Sequence, residues 1–212
     1  MSLLDEMNIS VIEGNPDKVK ELVRQALDQG VEVKTILSDG LIAAMDVVGR
    51  RFESRELFIP EMLMAGEAMT RGLEVLRPLF KESGIKPQGI VVIGTVQGDN
   101  HSIGKSLVSM MMEGAGFKMI DLGVDVSPEQ FVKSVKEEDA QLVGMSALLT
   151  TTMPSMKATI ETLKEAGLLD KVKTLIGGAP VTQEYADKIG ADGYAPDAIT
   201  AVNKAREFLG KM

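Results

Sequence analysis

The sequence predicts an α/β chain in which a small bundle of helices precedes a parallel sheet of five strands. Three observations carry this. Apolar residues recur at helical spacing through the first third, with turn signals between the runs. From Gly89 onward, short β-branched runs alternate with amphipathic stretches, the pattern of successive βαβ units. Between the two regimes Glu82-Ser83-Gly84-Ile85-Lys86-Pro87-Gln88 follows neither period and reads as a linker, so the expected domains are residues 1–84 and 88–212.

In chain order, the first helix spans roughly Leu3 to Ile12, and Gly14-Asn15-Pro16-Asp17 separates it from a second that runs to about Asp28 and stops at Gly30. Pro16 suits a first helical position. A third helix is expected from about Glu32 to Phe52, with Ile36, Leu41, Met45, Val48 and Phe52 near one face, although Gly40 and Gly49 weaken it. A fourth runs from Ile59-Pro60-Glu61 to Lys81 and carries Phe58, Met62, Ala65, Met69, Leu73, Leu76 and Phe80 at helical spacing. Methionine in such a stripe is a deformable core filler. Strands are expected near residues 89–95, 117–122, 142–146, 172–176 and 192–195, with a last helix to about Leu209. Ser127-Pro128-Glu129 is a helix start, with serine as cap and proline first. Five such units imply a flavodoxin-like (Rossmann-type) sheet in the order 2-1-3-4-5, whose ligand crevice lies at the carboxyl ends of strands 1 and 3.

Composition narrows the functional classes. With 31 Asp and Glu against 23 Lys and Arg, the formal net charge is −8, which argues against a nucleic-acid surface and provides no basic patch for an anionic membrane. No signal-like segment opens the chain and no run approaches the ~18 apolar residues of a membrane span. A cytoplasmic location is expected. The absence of cysteine excludes disulfides, zinc thiolates and cysteine nucleophiles.

The chemistry is expected at Gly98-Asp99-Asn100-His101-Ser102-Ile103-Gly104, between the first strand and a helix-like stretch from Lys105 to Gly114. It holds the single histidine of the protein. Asp99, two residues earlier, is placed to accept a hydrogen bond from one ring nitrogen and leave the other for a metal, while Gly104 gives room for something large. A solvated loop histidine is the alternative.

Asp99, His101 and Gly104, then Ser146-Ala147-Leu148, Thr150-Thr151-Thr152 and Gly177-Gly178-Ala179-Pro180, occur in an order that resembles cobalamin-binding domains: Asp-x-His-x-x-Gly, Ser-x-Leu, Gly-Gly. The closer likeness is to the small corrinoid proteins of methylotrophic methanogens and acetogens, related to the cobalamin module of methionine synthase. It covers nearly the whole chain. The resemblance implies cobalamin or a related corrinoid bound base-off, with His101 as the lower axial ligand of cobalt. It implies a catalytic set of Asp99, His101 and Thr152, and cofactor contacts at Ser102, Ile103, Gly104, Ser146, Leu148, Thr150, Gly177 and Gly178. Gly104, Gly177 and Gly178 would leave space for the nucleotide tail, Ser146 would hydrogen-bond it and Leu148 would pack on it. Simple structural alternatives exist: a strand-to-helix turn for Gly177-Gly178, a strand-end hydroxyl for Ser146, and a helix cap for Thr152 ahead of Met153-Pro154. The helical first third would be a cap over the cofactor, with Phe58 as a contact.

Cobalt(III) holds an axial imidazole that d⁸ cobalt(I) releases, so Asp99 is expected to stabilise the freed ring as an imidazolium. Two positions depart from the family pattern: Thr152 replaces a serine but keeps the hydroxyl, and Ser102 stands where many relatives are acidic, a position that touches the corrin rim through its backbone. Gly123-Val124-Asp125-Val126 reads either as a second rim contact or as a strand-ending turn. The implied function is a methyl carrier of one-carbon metabolism, methanogenesis or acetogenesis. It would work between a substrate-specific methyltransferase and an acceptor methyltransferase that delivers to a thiol or tetrahydrofolate. A reductive activase is a further implied partner, and the protein is not expected to turn over alone. A radical-mutase small subunit generally lacks the helical part, and a cobalamin-dependent sensor needs an output module. A nucleotide-binding flavodoxin-like domain would carry phosphate-cradling glycines after strand 1.

Overall fold

The structure, a computed structural model, describes residues 2–80 and 83–210. The chain divides into two compact units, one of Met1–Pro87 with Glu113–Gly116 and one of Gln88–Met112 with Phe117–Met212. In the first, α1 (Leu3–Ile12) starts on a capping box: the Asp5 N–H donates to Ser2 Oγ at 3.1 Å and the Ser2 N–H to Asp5 Oδ2 at 2.8 Å. The second helix, α2 (Pro16–Asp28), is capped by Asn15 and has Pro16 first, where its missing N–H costs nothing. The single third helix expected from the sequence is instead three consecutive segments: α3 (Val33–Thr35), a π-helical turn (Ile36–Ile42) and α4 (Ala43–Glu53). The Asn8 amide explains the interruption. It donates to the carbonyls of Asp39 at 2.6 Å and Gly40 at 2.9 Å, drawing them out of the helical ladder.

Helix α5 (Ile59–Leu76) gives way to a 3₁₀ turn at Arg77–Leu79, because Pro78 has no N–H to continue the ladder. The expected α-helix therefore ends earlier than Lys81, which with the linker residue Glu82 lies outside the described residues. Met62, Ala65, Met69, Leu73 and Leu76 of the expected stripe are buried. Phe58 is not: it precedes α5, is 63% exposed, and stands with exposed Ile59 and Met64. The reason is its position at the helix entry, where the Phe58 N–H is tied to the Glu61 carboxylate at 3.0 Å and the backbone is extended.

The second unit alternates β1 (Ile90–Thr95), α6 (Ile103–Gly114), β2 (Lys118–Asp121), α7 (Pro128–Glu138), β3 (Leu142–Ser146), α8 (Pro154–Glu165), β4 (Lys173–Gly177), α9 (Gln183–Ile189), β5 (Gly193–Ala195) and α10 (Ala198–Phe208). All pairs are parallel and the order is β2-β1-β3-β4-β5. Helices on a parallel sheet bury both faces, which is why β1 and β3 read as continuous apolar runs. Val92, Phe131, Val143, Met145, Met156 and Ile176 form the middle of this core. Thr95 pairs with Ser146, Ser146 with Gly177 and Gly177 with Ala195, so four strands end in line. That register sets the turns after β1 and β3 side by side. Helix α6 begins at Ile103, ahead of the expected Lys105, with its first turn closed by the Ser106 N–H on the Ser102 carbonyl at 2.8 Å. Among the described residues no helix is long and apolar enough to cross a membrane.

Candidate functional site

The turn after β1 carries Asp99 and His101, and hydrogen bonds fix it from several sides. Gly98 adopts φ +86°, a conformation open to glycine, and this reverses the chain so that Asp99 points inward. The Asp99 side chain is fully buried, yet each oxygen has partners. Oδ1 accepts from the His101 ring Nδ1 at 2.7 Å and from the His101 N–H at 3.0 Å. Oδ2 accepts from the Leu148 N–H at 2.8 Å, the Leu149 N–H at 3.3 Å and the Thr152 hydroxyl at 2.8 Å. Burial pushes the Asp99 carboxyl up, but the donors from Leu148, His101 and Thr152 outweigh it and hold the group well below the ordinary carboxylate range. Asp99 is therefore an ionised carboxylate. It accepts only, so Nδ1 of His101 carries the proton and the neutral ring has its free lone pair on Nε2.

The His101 side chain is 51% exposed although its carboxylate partner is sealed. Its carbonyl accepts the buried Thr95 hydroxyl at 2.7 Å, which pins the ring's backbone to the end of β1. Nε2 thus faces outward from a rigid base. Among the described residues no three His, Cys, Asp or Glu side chains converge as a metal site, so His101 offers a single ligand. Around it lie the exposed large apolar side chains Ile103, Val124, Leu148 and Leu149, all just after β1, β2 or β3. One imidazole with exposed apolar side chains on the neighbouring turns suits a flat, largely apolar group carrying its own metal.

Of the residues singled out in the sequence, Asp99, His101, Leu148 and Thr152 join one hydrogen-bond network. Leu148 takes part through its N–H, with its side chain exposed at the rim. Thr152 does not cap α8: no side-chain cap bond is made there, and its hydroxyl is directed to Asp99 and to the Leu149 carbonyl at 2.9 Å. Ser102, Ile103, Gly104 and Thr150 are exposed around the same turns. A Cβ built on Gly104 meets nothing within 4 Å, so open space adjoins the first turn of α6. At Gly177 and Gly178 the backbone itself requires glycine. A Cβ on Gly177 would stand 2.8 Å from the Ala195 carbonyl oxygen, and one on Gly178, where φ is +127°, 1.9 Å from that of Ala147. Close approach of backbones fills both directions. Ser146 ends β3, and its hydroxyl makes no hydrogen bond to another described residue. Phe58 belongs to the helical unit.

Sequence reasoning missed Thr95, Lys105, Asp121 and the bonding role of Asp125. Lys105 is buried in the first turn of α6 and pairs with Asp121 at the end of β2. A lone lysine at the start of a helix rich in Leu, Val and Met was the available signal; its partner, sixteen residues away, was not.

A parallel sheet presenting one oriented imidazole beside exposed apolar turns defines a cofactor-binding α/β protein. The family model of the B12 binding domain matches residues 89–203, and a second B12 binding domain model matches residues 3–77. The dimethylamine corrinoid protein of Methanosarcina barkeri is 48% identical over 98% of this chain and 97% of its own length. A corrinoid protein of Desulfitobacterium hafniense is 44% identical over 100% of this chain and 99% of its own. Among solved structures, the methanol:cobalamin methyltransferase complex of Methanosarcina barkeri superposes with a TM-score of 0.88 at 30% identity, covering 99% of this chain and 80% of that one. The chain belongs to the family of B12-binding corrinoid proteins.

Proposed function

We propose that this protein is a cytoplasmic methyl carrier that binds one corrinoid base-off, with His101 Nε2 as the lower axial ligand of cobalt. The observation that carries the reading is the Asp99–His101 pair: Nδ1 is held at 2.7 Å by a buried, ionised carboxylate, and Nε2 is left outward at the carboxyl end of β1. The residues present fit such a group. Gly104 adjoins open space, Ile103, Val124, Leu148 and Leu149 offer apolar surface to the ring, and the Ser146 hydroxyl is available to the nucleotide tail with Thr150, Gly177 and Gly178 along the same strand ends. When bound, the corrinoid supplies a cobalt centre that accepts and releases a methyl group.

The chain's own residues do the rest. Asp99 fixes the tautomer and aim of His101. Thr152 donates to Asp99 and helps keep the carboxylate ionised. In the helical unit, Phe58, Ile59 and Met64 are exposed at the start of α5. The relatives' names support a substrate-specific methyltransferase as donor partner; an acceptor methyltransferase and a reductive activase complete the proposal.

Reconstitution with cobalamin and ¹⁵N-histidine labelling tests the ligand, since His101 is the single histidine. The cobalt(II) paramagnetic spectrum is expected to change its nitrogen splitting on labelling; an unaffected splitting rules His101 out. For the carrier role, the reduced protein should take up methyl only with a cognate methyltransferase and its substrate, and pass it on only with a second enzyme. Carbon-skeleton rearrangement with a larger subunit, or light-dependent oligomer changes with an adenosyl cofactor, would replace that role by a mutase or a sensor.

A further inference from the structure

Asp125 lies in the connection between β2 and α7, outside the turn that carries Asp99 and His101, yet bonds to that turn twice. Its Oδ1 accepts the Gly98 N–H at 2.7 Å, and its own N–H donates to the Asp99 carbonyl at 2.9 Å. It does so at φ +53°, in the left-handed region where aspartate is tolerated and most residues are strained. The connection is itself anchored. The Thr95 N–H donates to the Gly123 carbonyl and the Val126 N–H to the Thr95 carbonyl, both at 3.0 Å. Asp121, ion-paired to buried Lys105, accepts the Gly123 N–H at 2.8 Å. The turn is closed from the β1 side by the Asp99 N–H on the Val96 carbonyl at 3.1 Å, and the Gly98 N–H is left to Asp125. Without an acceptor for its N–H, the left-handed turn that aims Asp99 inward loses its outer support.

We propose that Asp125 is a positioning residue: its carboxylate clamps the Gln97–Gly98 peptide through the Gly98 N–H, so that Asp99 reaches His101 Nδ1 and sets the tautomer that leaves Nε2 free. Asp125 acts through Asp99 and touches no cofactor. The purpose of the clamp rests on the reading of His101 as axial ligand, but its existence is measurable without a corrinoid.

The test uses the full-length apo protein, in which the lone histidine gives unambiguous imidazole signals. Long-range ¹⁵N–¹H correlation at a pH where the ring is neutral reads the ratio of the Nδ1–H to the Nε2–H tautomer. Asp125→Gly keeps left-handed freedom and removes only the carboxylate, whereas Asp125→Asn keeps an acceptor oxygen and tolerates the same backbone. In Asp125→Gly the tautomer ratio is expected to fall about tenfold and Gly98 amide exchange to quicken to match, while Asp125→Asn stays within about twofold of wild type, as befits loss or retention of one hydrogen bond to a side-chain acceptor. A wild-type ratio in Asp125→Gly overturns the proposal. So does an Asp125→Asn variant as disturbed as the glycine one, since charge rather than the bond would then be acting. Should Asp125→Gly fail to fold, amide exchange in the wild type decides: protection of the Gly98 N–H supports the clamp and exchange at the solvent rate overturns it. None of these readouts involves cobalt, so a failure of His101 as ligand remains distinguishable from a failure of the clamp.

Discussion

Two carboxylates at opposite ends of the sheet have nearly the same bonds and different prospects. At the amino ends of β4 and β5, Asp192 accepts the Thr174 N–H at 2.8 Å, the Thr174 hydroxyl at 2.9 Å and Lys173 Nζ at 2.7 Å. At the carboxyl ends of β1 and β3, Asp99 accepts backbone N–H groups, the Thr152 hydroxyl and an imidazole. Both are pulled below the ordinary carboxylate range against the upward push of burial, Asp192 by Lys173 and Thr174, Asp99 by Leu148, His101 and Thr152. The difference is the last partner. A lysine ammonium ends the network at Asp192, so that site only joins two strands. An imidazole continues the network at Asp99, because a ring held at Nδ1 still has Nε2 to offer. Chemistry thus falls at the end of the sheet where parallel α/β folds place ligands, and stabilisation at the other.

The largest expected contrast comes from deleting each carboxylate. Asp99→Ala leaves the N–H groups of His101, Leu148 and Leu149 without the carboxylate that accepts them, and unmet buried donors cost ~1–3 kcal/mol each. A loss of about 3 kcal/mol or more in urea unfolding is expected, together with loss of corrinoid on gel filtration. Asp192→Ala is expected to cost about 1–2 kcal/mol, since water reaches that side chain, and to leave corrinoid retention unchanged. Equal loss of corrinoid in both variants would erase the distinction.

A smaller substitution sharpens it. Asp99→Asn keeps an oxygen for the donors but cannot stabilise an imidazolium as a carboxylate does. The cobalt(II)/cobalt(I) potential of the reconstituted protein should become less dependent on pH, whereas Asp192→Asn should leave that dependence as in wild type. Voltammetry across a pH series checks it, and an unchanged slope in Asp99→Asn removes Asp99 from proton handling.

Acid stability comes next in size and joins the two sites again. A carboxyl whose folded pKa is depressed binds its proton more readily when unfolded, so its contribution to stability is present above the ordinary value of ~3.9 and is lost as pH falls below it. Both Asp99 and Asp192 act in this sense. Urea midpoints of wild type and Asp192→Asn should therefore converge as pH drops from ~5 to ~3, the wild type losing its advantage. A constant gap across that window would deny Asp192 a depressed pKa.

What sequence reasoning reached and what it missed follow the range of the contacts involved. Strand order and most element boundaries were legible, since apolar period, Gly and Pro punctuation and caps such as Ser127 are local. The Asp99–His101 bond spans two residues of one turn, and that too is a local pattern. The π-helical turn depends on Asn8 reaching across from another helix, and the Asp125 clamp on a loop that only the β1–β2 pairing brings near. No periodicity reports such meetings. Gly177 and Gly178 add a requirement of the same long-range kind: the neighbour a Cβ would meet is backbone on adjacent segments.

Thr152 yields the smallest effect and the finest distinction. The resemblance to corrinoid proteins places a serine at this position, and the structure uses the hydroxyl on Asp99 Oδ2 at 2.8 Å. The extra methyl lies 3.5 Å from where a Cβ on Gly98 would stand, so it adds packing beneath the turn and no hydrogen bond. Thr152→Ser should then cost no more than the ~0.8 kcal/mol of one buried methyl group and leave the pH slope of the potential intact. Thr152→Val keeps the shape and removes the donor, which leaves Asp99 Oδ2 with backbone N–H groups alone and raises its pKa toward the ordinary value. Its pH slope should lie between those of wild type and Asp99→Asn. If the serine variant changes the slope and the valine variant does not, the methyl group rather than the hydroxyl governs Asp99, and Thr152 passes from the proton network to the packing of the turn.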